Sequence, residues 1–323
     1  MDSKKKKALM WQVPFLLILV VGTVLIIRQQ QSMPFRHEKG FVFGTIYNIT
    51  YQSDKDLKAE IEDELKKVDM EFSMFNDSST VARINRGEKV ERSKVFEELF
   101  ELSQTINRES EGAFDITVAP LVNAWGFGFK HQQLPTAEQV DSLMKIRDQY
   151  DFAAIAKGFG ADVLARLLRR HEIKNFMVEI GGEIVTQGVS EKRLPWKIGV
   201  TRPTDDSLSV GGDLQTVLNV TDIAMATSGN YRNYYYKDGK KYAHTIDPKT
   251  GYPVQHSLLS ATVLAKDCAV ADAFATAFMV LGVDGAKRVL ERHPELMAYF
   301  IYSGEDGSNS VWFSPSLKDK IAE

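Results

Sequence analysis

Between residues 175 and 265 the chain carries six strand-like segments with no helical pattern between them, and this order constrains the fold more than any other sequence feature. The segments are 175–180, 183–189, 196–201, 214–220, 241–246 and 258–265. Alternating apolar and polar residues predict a further strand over 40–52, and two more are predicted near 297–302 and 310–313. Because strands outnumber helices and often follow one another directly, we predict an α+β layered fold rather than strict βαβ alternation.

Six segments have the sequence pattern of helices. They are 54–75, 94–108, 136–148, 157–173, 269–281 and 284–293. In the first segment Leu57, Ile61 and Leu65 lie at helical spacing, and Asp54 or Asp56 is placed to cap the helix. The sequence contains no internal repeat and no low-complexity tract, so a single domain is its simplest organisation.

The N-terminal residues form a basic segment and then an apolar one. Four lysines end the segment 1–7, and residues 8–27 are apolar apart from Gln12, with Pro14 and Gly22 inside the run. Roughly 20 apolar residues suffice to span a bilayer as a helix, and the preceding lysines predict a cytoplasmic N-terminus. A cleaved signal peptide is the alternative, but "RQQQSMP" after the run offers no small-x-small cleavage pattern.

These features predict how the chain is divided. We expect a cytoplasmic basic tail over 1–7, an uncleaved transmembrane signal anchor over 8–27, a linker over 28–38 and one domain over 39–323. A single-pass anchor of this orientation places the domain on the periplasmic side of a bacterial inner membrane. The membrane segment therefore predicts a location and says nothing of the chemistry.

Composition excludes several classes of protein. The 323 residues carry a net charge of −3 and are 44% hydrophobic, so the chain has a core but lacks the basic field that nucleic-acid binding needs. Cys268 is the only cysteine, which rules out an intrachain disulfide and any cysteine-rich metal site. We expect no nucleic-acid partner.

The segment "SEGAFDITVAPLVNAWGFG", residues 110–128, is richer in glycine and polar residues than a core element requires. It places Gly112, Phe114 and Asp115 on a tight approach and continues as an aromatic, glycine-rich loop. Taken alone, these residues fit a binding loop, and they also fit a turn that feeds a strand.

The segment "DFAAIAKGFGAD", residues 151–162, sets Asp151 and Lys157 around an alanine-lined turn that opens a helix. A helix start offers free N–H groups to an anion, and Lys157 adds a point charge. An N-cap aspartate beside a solvent-exposed lysine fits the same residues equally well.

Two later segments also contain candidate site residues. Gly181 and Gly182 lie between two predicted strands, which is most often only a hairpin turn. The segment 226–253 is predicted to form one hairpin, which places His244 at a strand end beside a polar turn. A lone histidine is usually structural, but at this place it could accept a proton from a substrate.

The helical segment 266–278 is mostly alanine and phenylalanine, yet it carries Asp272 and Thr276. The spacing i and i+4 puts the two side chains on one face of the helix. An oxygen pair of this kind suits a hard cation such as Mg²⁺. Alternatively, Asp272 caps the first turn and Thr276 bonds back to a helix carbonyl. Spacing alone does not decide between the two.

Six segments, taken together and in this order, resemble the ApbE-like family of FAD:protein FMN transferases. They are "SEGAFDITVAPL", "DFAAIAKGFGAD", "EIGGEI", "TSGNYRNYY", "HTIDPKTGYP" and "ADAFATA". The resemblance covers nearly all of the chain after the apolar segment. It implies the family's single α+β domain, related to the T-fold, with FAD as substrate and Mg²⁺ as cofactor.

The resemblance also implies roles for individual residues. The metal ligands would be Asp272, Thr276 and the backbone carbonyl of Ala154, and His244 would be the general base. Residues that match positions against FAD are Phe43, Phe75, Ala113, Phe114, Asp115, Asp151, Lys157 and, more weakly, Leu259. Many family members are lipoproteins anchored by an N-terminal cysteine, and here the predicted anchor is a transmembrane helix instead.

The implied reaction transfers the FMN half of FAD to a Ser or Thr hydroxyl of a partner protein and releases AMP. The implied partners are exported electron-transfer subunits, similar to those of sodium-pumping NADH:quinone reductases or Rnf-type complexes. Two alternatives use the same site: an FAD pyrophosphatase that gives FMN and AMP, and a non-catalytic flavin-binding protein.

Overall fold

An antiparallel sheet of eight strands forms the centre of the molecule. The computed structural model describes residues 12–24, 33–127, 134–203, 214–230, 234–237, 240–304 and 308–322. The sheet contains β1 (Phe35–Val42), β2 (Thr45–Gln52), β3 (Phe176–Ile180), β4 (Glu183–Gln187), β7 (Ala224–Gly229), β10 (Leu258–Ala265), β11 (Met297–Ser303) and β12 (Asn309–Phe313), in that spatial order. Two separate hairpins are formed by β5 (Trp196–Thr201) with β6 (Leu214–Val220) and by β8 (Tyr234–Lys237) with β9 (Lys240–Ala243).

Helices cover one face of the sheet. The helices are α1 (Gln12–Val24), α2 (Lys58–Phe72), α3 (Thr80–Asn85), α4 (Lys94–Glu109), α5 (Ala119–Ala124), α6 (Ala137–Leu143), α7 (Ala156–Arg170) and α8 (Cys268–Arg292), with short 3₁₀ turns at Ile116–Val118 and Pro315–Lys320. Helices α7 and α8 pack on the central strands, and α2 and α4 pack on α7 and α8. Burial of these apolar faces supplies the main stabilisation of the fold.

The other face of the sheet is covered by the hairpin β5–β6. Trp196, Ile198 and Leu218 of this hairpin pack against Met225 and Leu264 of the central strands. The described part of the molecule therefore has three layers: helices, the central sheet and a small hairpin. This arrangement confirms the predicted layered fold of strands and helices in one domain.

Helix α8 bends at Gly282, whose φ of 67° lies outside the helical region. Nε2 of His256 lies 2.7 Å from the carbonyl oxygen of Met279, and its Nδ1 accepts the N–H of Leu258 at 3.2 Å. His256 therefore satisfies a carbonyl that the bend releases. The two helices predicted over 269–281 and 284–293 are one bent helix.

Several predicted boundaries differ from the structure. The strand predicted over 40–52 is a hairpin of β1 and β2, because Phe43 and Gly44 both have positive φ and turn the chain. Strand β1 begins at Phe35, inside the range 28–38 that the sequence assigns to a linker. Strand β7 lies in the middle of the sheet but is absent from the predicted strands.

Two helices also differ from their predicted form. Helix α2 has Leu57 at its N-cap without a side-chain bond, so neither Asp54 nor Asp56 caps it; instead Asp56 accepts the N–H of Lys58 at 2.9 Å. The segment 110–128, predicted to be a loop after its turn, contains the short helix α5. By contrast, Thr136 caps α6 with the reciprocal bonds of a capping box, as its position before the helix predicts.

The predicted membrane anchor is described only in its middle part. Residues 12–24 form an apolar helix whose side chains are almost all exposed, and the remaining anchor residues, 8–11 and 25–27, lie outside the described residues. Among the described residues, one helix is long and apolar enough to cross a membrane. That helix is α8, and 67% of its most apolar stretch is buried, as expected of a core helix.

Candidate functional site

The N-terminal ends of α7 and α8 touch, and this contact organises the candidate site. A Cβ on Gly158 would lie 2.4 Å from the carbonyl oxygen of Cys268, so only glycine permits this approach. The carboxylate of Asp162 accepts the backbone N–H groups of Cys268 and Ala269 at 2.8 and 2.9 Å. Asp162 therefore caps the first turn of α8 from the neighbouring helix.

A buried cluster of one ammonium group and two carboxylates lies beside this contact. Nζ of Lys157 lies 2.8 Å from Oε1 of Glu183 and 3.8 Å from Oδ2 of Asp272. Glu183 is 3% exposed and Asp272 is 2% exposed. Oε2 of Glu183 is buried without a hydrogen-bond partner among the described residues. The cluster has more negative than positive groups and is therefore suited to a further cation.

The three groups shift one another's pKa values. Burial raises the pKa of Glu183 to about 7, and the Asp272 carboxylate adds to this, although the Lys157 ammonium opposes it. Burial likewise raises the pKa of Asp272. For Lys157 burial lowers the pKa, but the carboxylates of Asp272 and Glu183 outweigh it, so the pKa stands above its ordinary value. The lysine is therefore positively charged, and its ammonium group is the single counter-charge of two carboxylates.

Asp272 and Thr276 lie on one face of α8, as their spacing predicts. Oδ2 of Asp272 accepts the N–H of Gly158 at 3.1 Å and is the oxygen nearest Lys157, so Oδ1 takes no part in either contact. The hydroxyl of Thr276 lies 3.0 Å from that of Ser228, the penultimate residue of β7. Neither alternative role is seen: Asp272 lies one turn inside α8, and the hydroxyl of Thr276 bonds to Ser228.

The chemistry of the predicted ligands fits a hard cation. A carboxylate oxygen of Asp272, the hydroxyl of Thr276 and the backbone carbonyl of Ala154, which precedes α7, are all oxygen ligands of the kind that Mg²⁺ prefers. Among the described residues, no group of three or more His, Cys, Asp or Glu side chains could hold a metal. A site here would depend on one carboxylate, a hydroxyl, a carbonyl and oxygens of water or substrate. These assignments stay predictions.

Asp151 connects the α7 loop to the segment that carries Ala113, Phe114 and Asp115. The N–H of Asp151 donates to the carbonyl of Ile116 at 2.7 Å, and its side chain accepts the N–H of Ala153 at 2.8 Å. Burial raises the pKa of Asp151. The interpretation of Asp151 as an N-cap beside a solvent lysine fails, because α7 begins at Ala156 and Lys157 is tied to Glu183.

The segment 113–115 is held from two sides. Ala113 and Phe114 are buried, and the side-chain amide of Asn107 donates to the Phe114 carbonyl at 2.6 Å. Asp115 caps a 3₁₀ turn by accepting the N–H of Thr117 at 2.8 Å, and it pairs with Arg147 at 2.8 Å. Backbone groups of this segment are therefore fixed in place.

Phe43 lies in the turn of the β1–β2 hairpin, and Phe75 lies against that turn. A Cβ on Gly160 would lie 2.8 Å from the Phe43 ring, so Phe43 packs on α7 one turn after Lys157. A Cβ on Gly44 would lie 3.3 Å from the Phe75 ring, which is 71% exposed. Both aromatic rings therefore lie at this hairpin turn, and the ring of Phe75 is the exposed one.

The structure brings His244 and Leu259 to the end of β7. The carbonyl of Leu259 accepts the N–H of Asn230, and the side-chain oxygen of Asn230 accepts the Thr245 hydroxyl at 2.6 Å. His244 precedes Thr245, is half-buried and lies with its ring centre 6.3 Å from that of Phe127. These bonds join the His244 loop to the strand that carries Ser228, but no described distance relates His244 to Asp272.

Three residues of this region were missed as site residues in the sequence. Glu183, Asp162 and Ser228 all contact predicted site residues or the helix that carries them. A charged residue at the start of a predicted buried strand was a signal for Glu183. Gly181 and Gly182 do form the predicted hairpin turn, with positive φ, and a Cβ on Gly181 would lie 2.7 Å from the methyl group of Thr45.

The comparisons with known proteins agree on one family. The model of the ApbE family matches residues 43–300. An FAD:protein FMN transferase from Haemophilus influenzae is 36% identical over 319 residues, covering 88% of this chain and 90% of the relative. The corresponding protein of Escherichia coli K12 is 34% identical over 302 residues, covering 85% of this chain and 84% of the relative.

Solved structures give the same result for the fold. The flavin transferase ApbE from Vibrio cholerae superimposes with a TM-score of 0.79 at 33% identity, covering 89% of this chain and 99% of that one. The flavinyl transferase ApbE from Pseudomonas stutzeri, in its apo form, superimposes with a TM-score of 0.78 at 27% identity, covering 90% and 97% of the two chains.

Proposed function

The chain belongs to the ApbE family, and on that premise we propose that it is an FAD:protein FMN transferase. In the proposed reaction, a Ser or Thr hydroxyl of an acceptor protein attacks the phosphorus of the FMN half of FAD. A new O–P bond forms, the phosphoanhydride bond breaks and AMP leaves. The observation that carries the proposal is the buried cluster of Lys157, Glu183 and Asp272 beside oxygen donors, at the ends of two touching helices.

The residues of this cluster would bind and orient the diphosphate. Lys157 offers a positive charge, which favours an anion. Asp272, Thr276 and the Ala154 carbonyl would hold Mg²⁺, which when bound neutralises charge on the diphosphate and on the leaving AMP. Phosphoryl-type transfer depends mainly on positioning and charge neutralisation, which is what these residues supply.

The remaining predicted residues would position the flavin and move the proton. Residues 113–115 and Asp151, joined through Ile116, would line the dinucleotide, and Phe43, Phe75 and Leu259 would contact its rings or edges. His244 would accept the proton that the attacking hydroxyl loses. The chain's apolar residues 8–27 would anchor the domain as a single-pass helix, with the domain on the periplasmic side.

We propose that the acceptors are exported electron-transfer subunits, similar to those of sodium-pumping NADH:quinone reductases or Rnf-type complexes. The test mixes the purified domain with FAD, Mg²⁺ and the flavin-accepting subunit of an Rnf-type complex. We expect a covalent yellow adduct on the subunit and one AMP for each FMN attached. FMN released to water without an adduct would favour the pyrophosphatase instead, and intact FAD that stays bound would favour a non-catalytic flavin-binding protein.

A further inference from the structure

Strand β1 is an edge strand of the sheet, and a groove runs between it and helix α2. The groove has a volume of about 860 Å³, and its lining includes Phe41 of β1 and Glu62 and Lys66 of α2. Its volume lies within the roughly 300–1,000 Å³ typical of ligand sites. Its lining includes Phe43 and Phe75, both of which are predicted to contact FAD.

The hydrogen-bond pattern identifies the backbone groups that β1 directs away from the sheet. On β2 the carbonyl of Ile46 accepts the N–H of Gly181, so Ile46 faces β3 and Tyr47 faces β1. Tyr47 is opposite Gly40, and in an antiparallel pair such residues exchange their bonds. Phe41, one residue further, therefore directs its N–H and C=O outward. No described strand pairs with that outer edge.

The side chains of the groove give the chemistry of its occupant. Glu62, Asp69 and Asp77 contribute three carboxylates, and Lys66 contributes one ammonium. The groove is therefore acidic and favours a segment with basic residues. An edge strand beside a helix, with outward backbone groups and an open channel, is suited to receive an extended peptide as an added strand.

We infer that the groove between β1 and α2 binds an extended, basic segment of the acceptor protein by adding it as a strand to β1. The inference rests on the proposed transferase function. A segment paired with Phe41 would continue past Phe43 towards Lys157, because the Phe43 ring packs on α7 one turn from that lysine. The groove would in this way deliver the hydroxyl to the diphosphate.

Proline at position 41 tests the inference, because it removes the outward N–H but none of the bonds between β1 and β2. Phe41 is 73% exposed, so Phe41→Ala is a matched control for the loss of the ring. With the flavin-accepting Rnf subunit as probe, we expect Phe41→Pro to raise the KM for the subunit by about tenfold. The Kd for FAD should stay unchanged in both variants, and Phe41→Ala, which keeps the outward N–H, should raise the KM for the subunit less than Phe41→Pro does.

A second variant pair keeps the test decisive if Phe41→Pro fails to fold. Lys39 has the same outward backbone direction as Phe41, so Lys39→Pro should raise the KM for the subunit, whereas Lys39→Ala keeps the N–H, removes a like charge and should not raise it. Charge reversal at Glu62→Lys should raise the KM for the subunit several-fold at low salt and less at high salt.

The outcomes separate this inference from the proposed function. If wild-type protein transfers FMN and the proline variants have an unchanged KM, the docking inference is wrong and the function stands. A weaker FAD affinity in the proline variants, with the KM for the subunit unchanged, would mean that the groove holds the flavin. If wild-type protein leaves both FAD and subunit unmodified, the proposed function fails and the docking inference falls with it.

Discussion

The two ends of the candidate site are built in opposite ways. At one end Lys157, Glu183 and Asp272 are buried and fixed by charge and by the touching helices α7 and α8. At the other end Phe75 is exposed, beside a hairpin turn and an open groove. The difference indicates that the two ends have different roles. The buried end would hold the diphosphate rigidly, and the exposed end would admit flavin and acceptor.

Removal of Asp272 should have the largest effect on activity. Asp272→Ala removes the only carboxylate proposed for the metal, so we expect Mg²⁺-dependent AMP release to fall at least ~10³-fold, equal to several kcal/mol of lost stabilisation. Asp272→Asn keeps an acceptor for the N–H of Gly158 and serves as the folding control. Undiminished AMP release in a folded Asp272→Ala protein would contradict the metal assignment.

Removal of His244 should slow transfer without loss of FAD. A general base contributes typically ~10²–10⁴-fold, so His244→Ala should lower the transfer rate by that factor while the Kd for FAD changes little. Stopped assays of adduct formation and fluorescence titration of FAD measure the two quantities separately. If FAD binding is lost instead, His244 is a ligand contact and the base lies elsewhere.

Lys157→Met should destabilise the buried end even without ligand. Two buried carboxylates would lose their counter-charge, so the free energy of unfolding should fall by about 3–5 kcal/mol at pH 8 in the presence of chelator. The loss should be smaller at pH 5, because buried carboxyls with raised pKa values take up protons there. Lys67 forms an exposed pair with Asp63 at 2.7 Å, and Lys67→Met should leave denaturant unfolding unchanged. If Lys157→Met and Lys67→Met lower the free energy of unfolding equally, the buried ion pairs are no more important for stability than the exposed one.

Asp162 should make stability depend on pH. Burial raises its pKa to about 7, although the N–H groups of Ala269 and Cys268 oppose this. Because the folded pKa exceeds the unfolded value near 3.8, the stabilising contribution is complete below pH 3.8 and is lost as the pH rises through 7. Between pH 5 and pH 8 we expect Asp162→Asn to remove roughly 2–3 kcal/mol of the wild-type fall in unfolding free energy. An identical pH slope in urea titrations of both proteins would show that Asp162 does not titrate there.

The exposed end should tolerate change best. Phe75→Ala should alter the free energy of unfolding by less than ~0.5 kcal/mol, since its ring is mostly exposed. If the ring contacts flavin or adenine, the Kd for FAD should rise ~2–10-fold. Phe41→Ala removes another exposed ring and should leave the Kd unchanged. The same Kd in both variants would exclude Phe75 from the FAD site.

The sequence predicted the elements that follow simple periodicity. Helices α4 and α7 and strands β5, β6 and β10 lie close to their predicted ranges, because each buries one regular face. The hairpin turn at Phe43 and the strand β7 were missed: a phenylalanine at positive φ is not a common turn signal, and "AMATSG" has no alternating pattern. The turn at Phe43 and the strand β7 both depend on contacts with residues that are distant in the sequence.

The candidate site was only partly predictable for the same reason. The spacing of Asp272 and Thr276 predicted their shared face, because that is a local property of a helix. The contacts of Lys157 with Glu183, of Asp162 with α8 and of Ser228 with Thr276 join residues between 26 and 107 positions apart, and no local pattern encodes them. The charge of Glu183 at the start of a predicted strand was a signal in the sequence, but its burial beside Lys157, which makes it a candidate, was not predictable from that signal.

The central claim is that Asp272 and Thr276 hold a divalent cation against the diphosphate of FAD. An anomalous difference map from crystals soaked with Mn²⁺ and FAD tests it directly. The account predicts a single strong peak within about 2.0–2.2 Å of Oδ1 of Asp272 and Oγ1 of Thr276, in contact with the diphosphate. A peak elsewhere, with Lys157 still between Glu183 and Asp272 and no metal at α8, would contradict it.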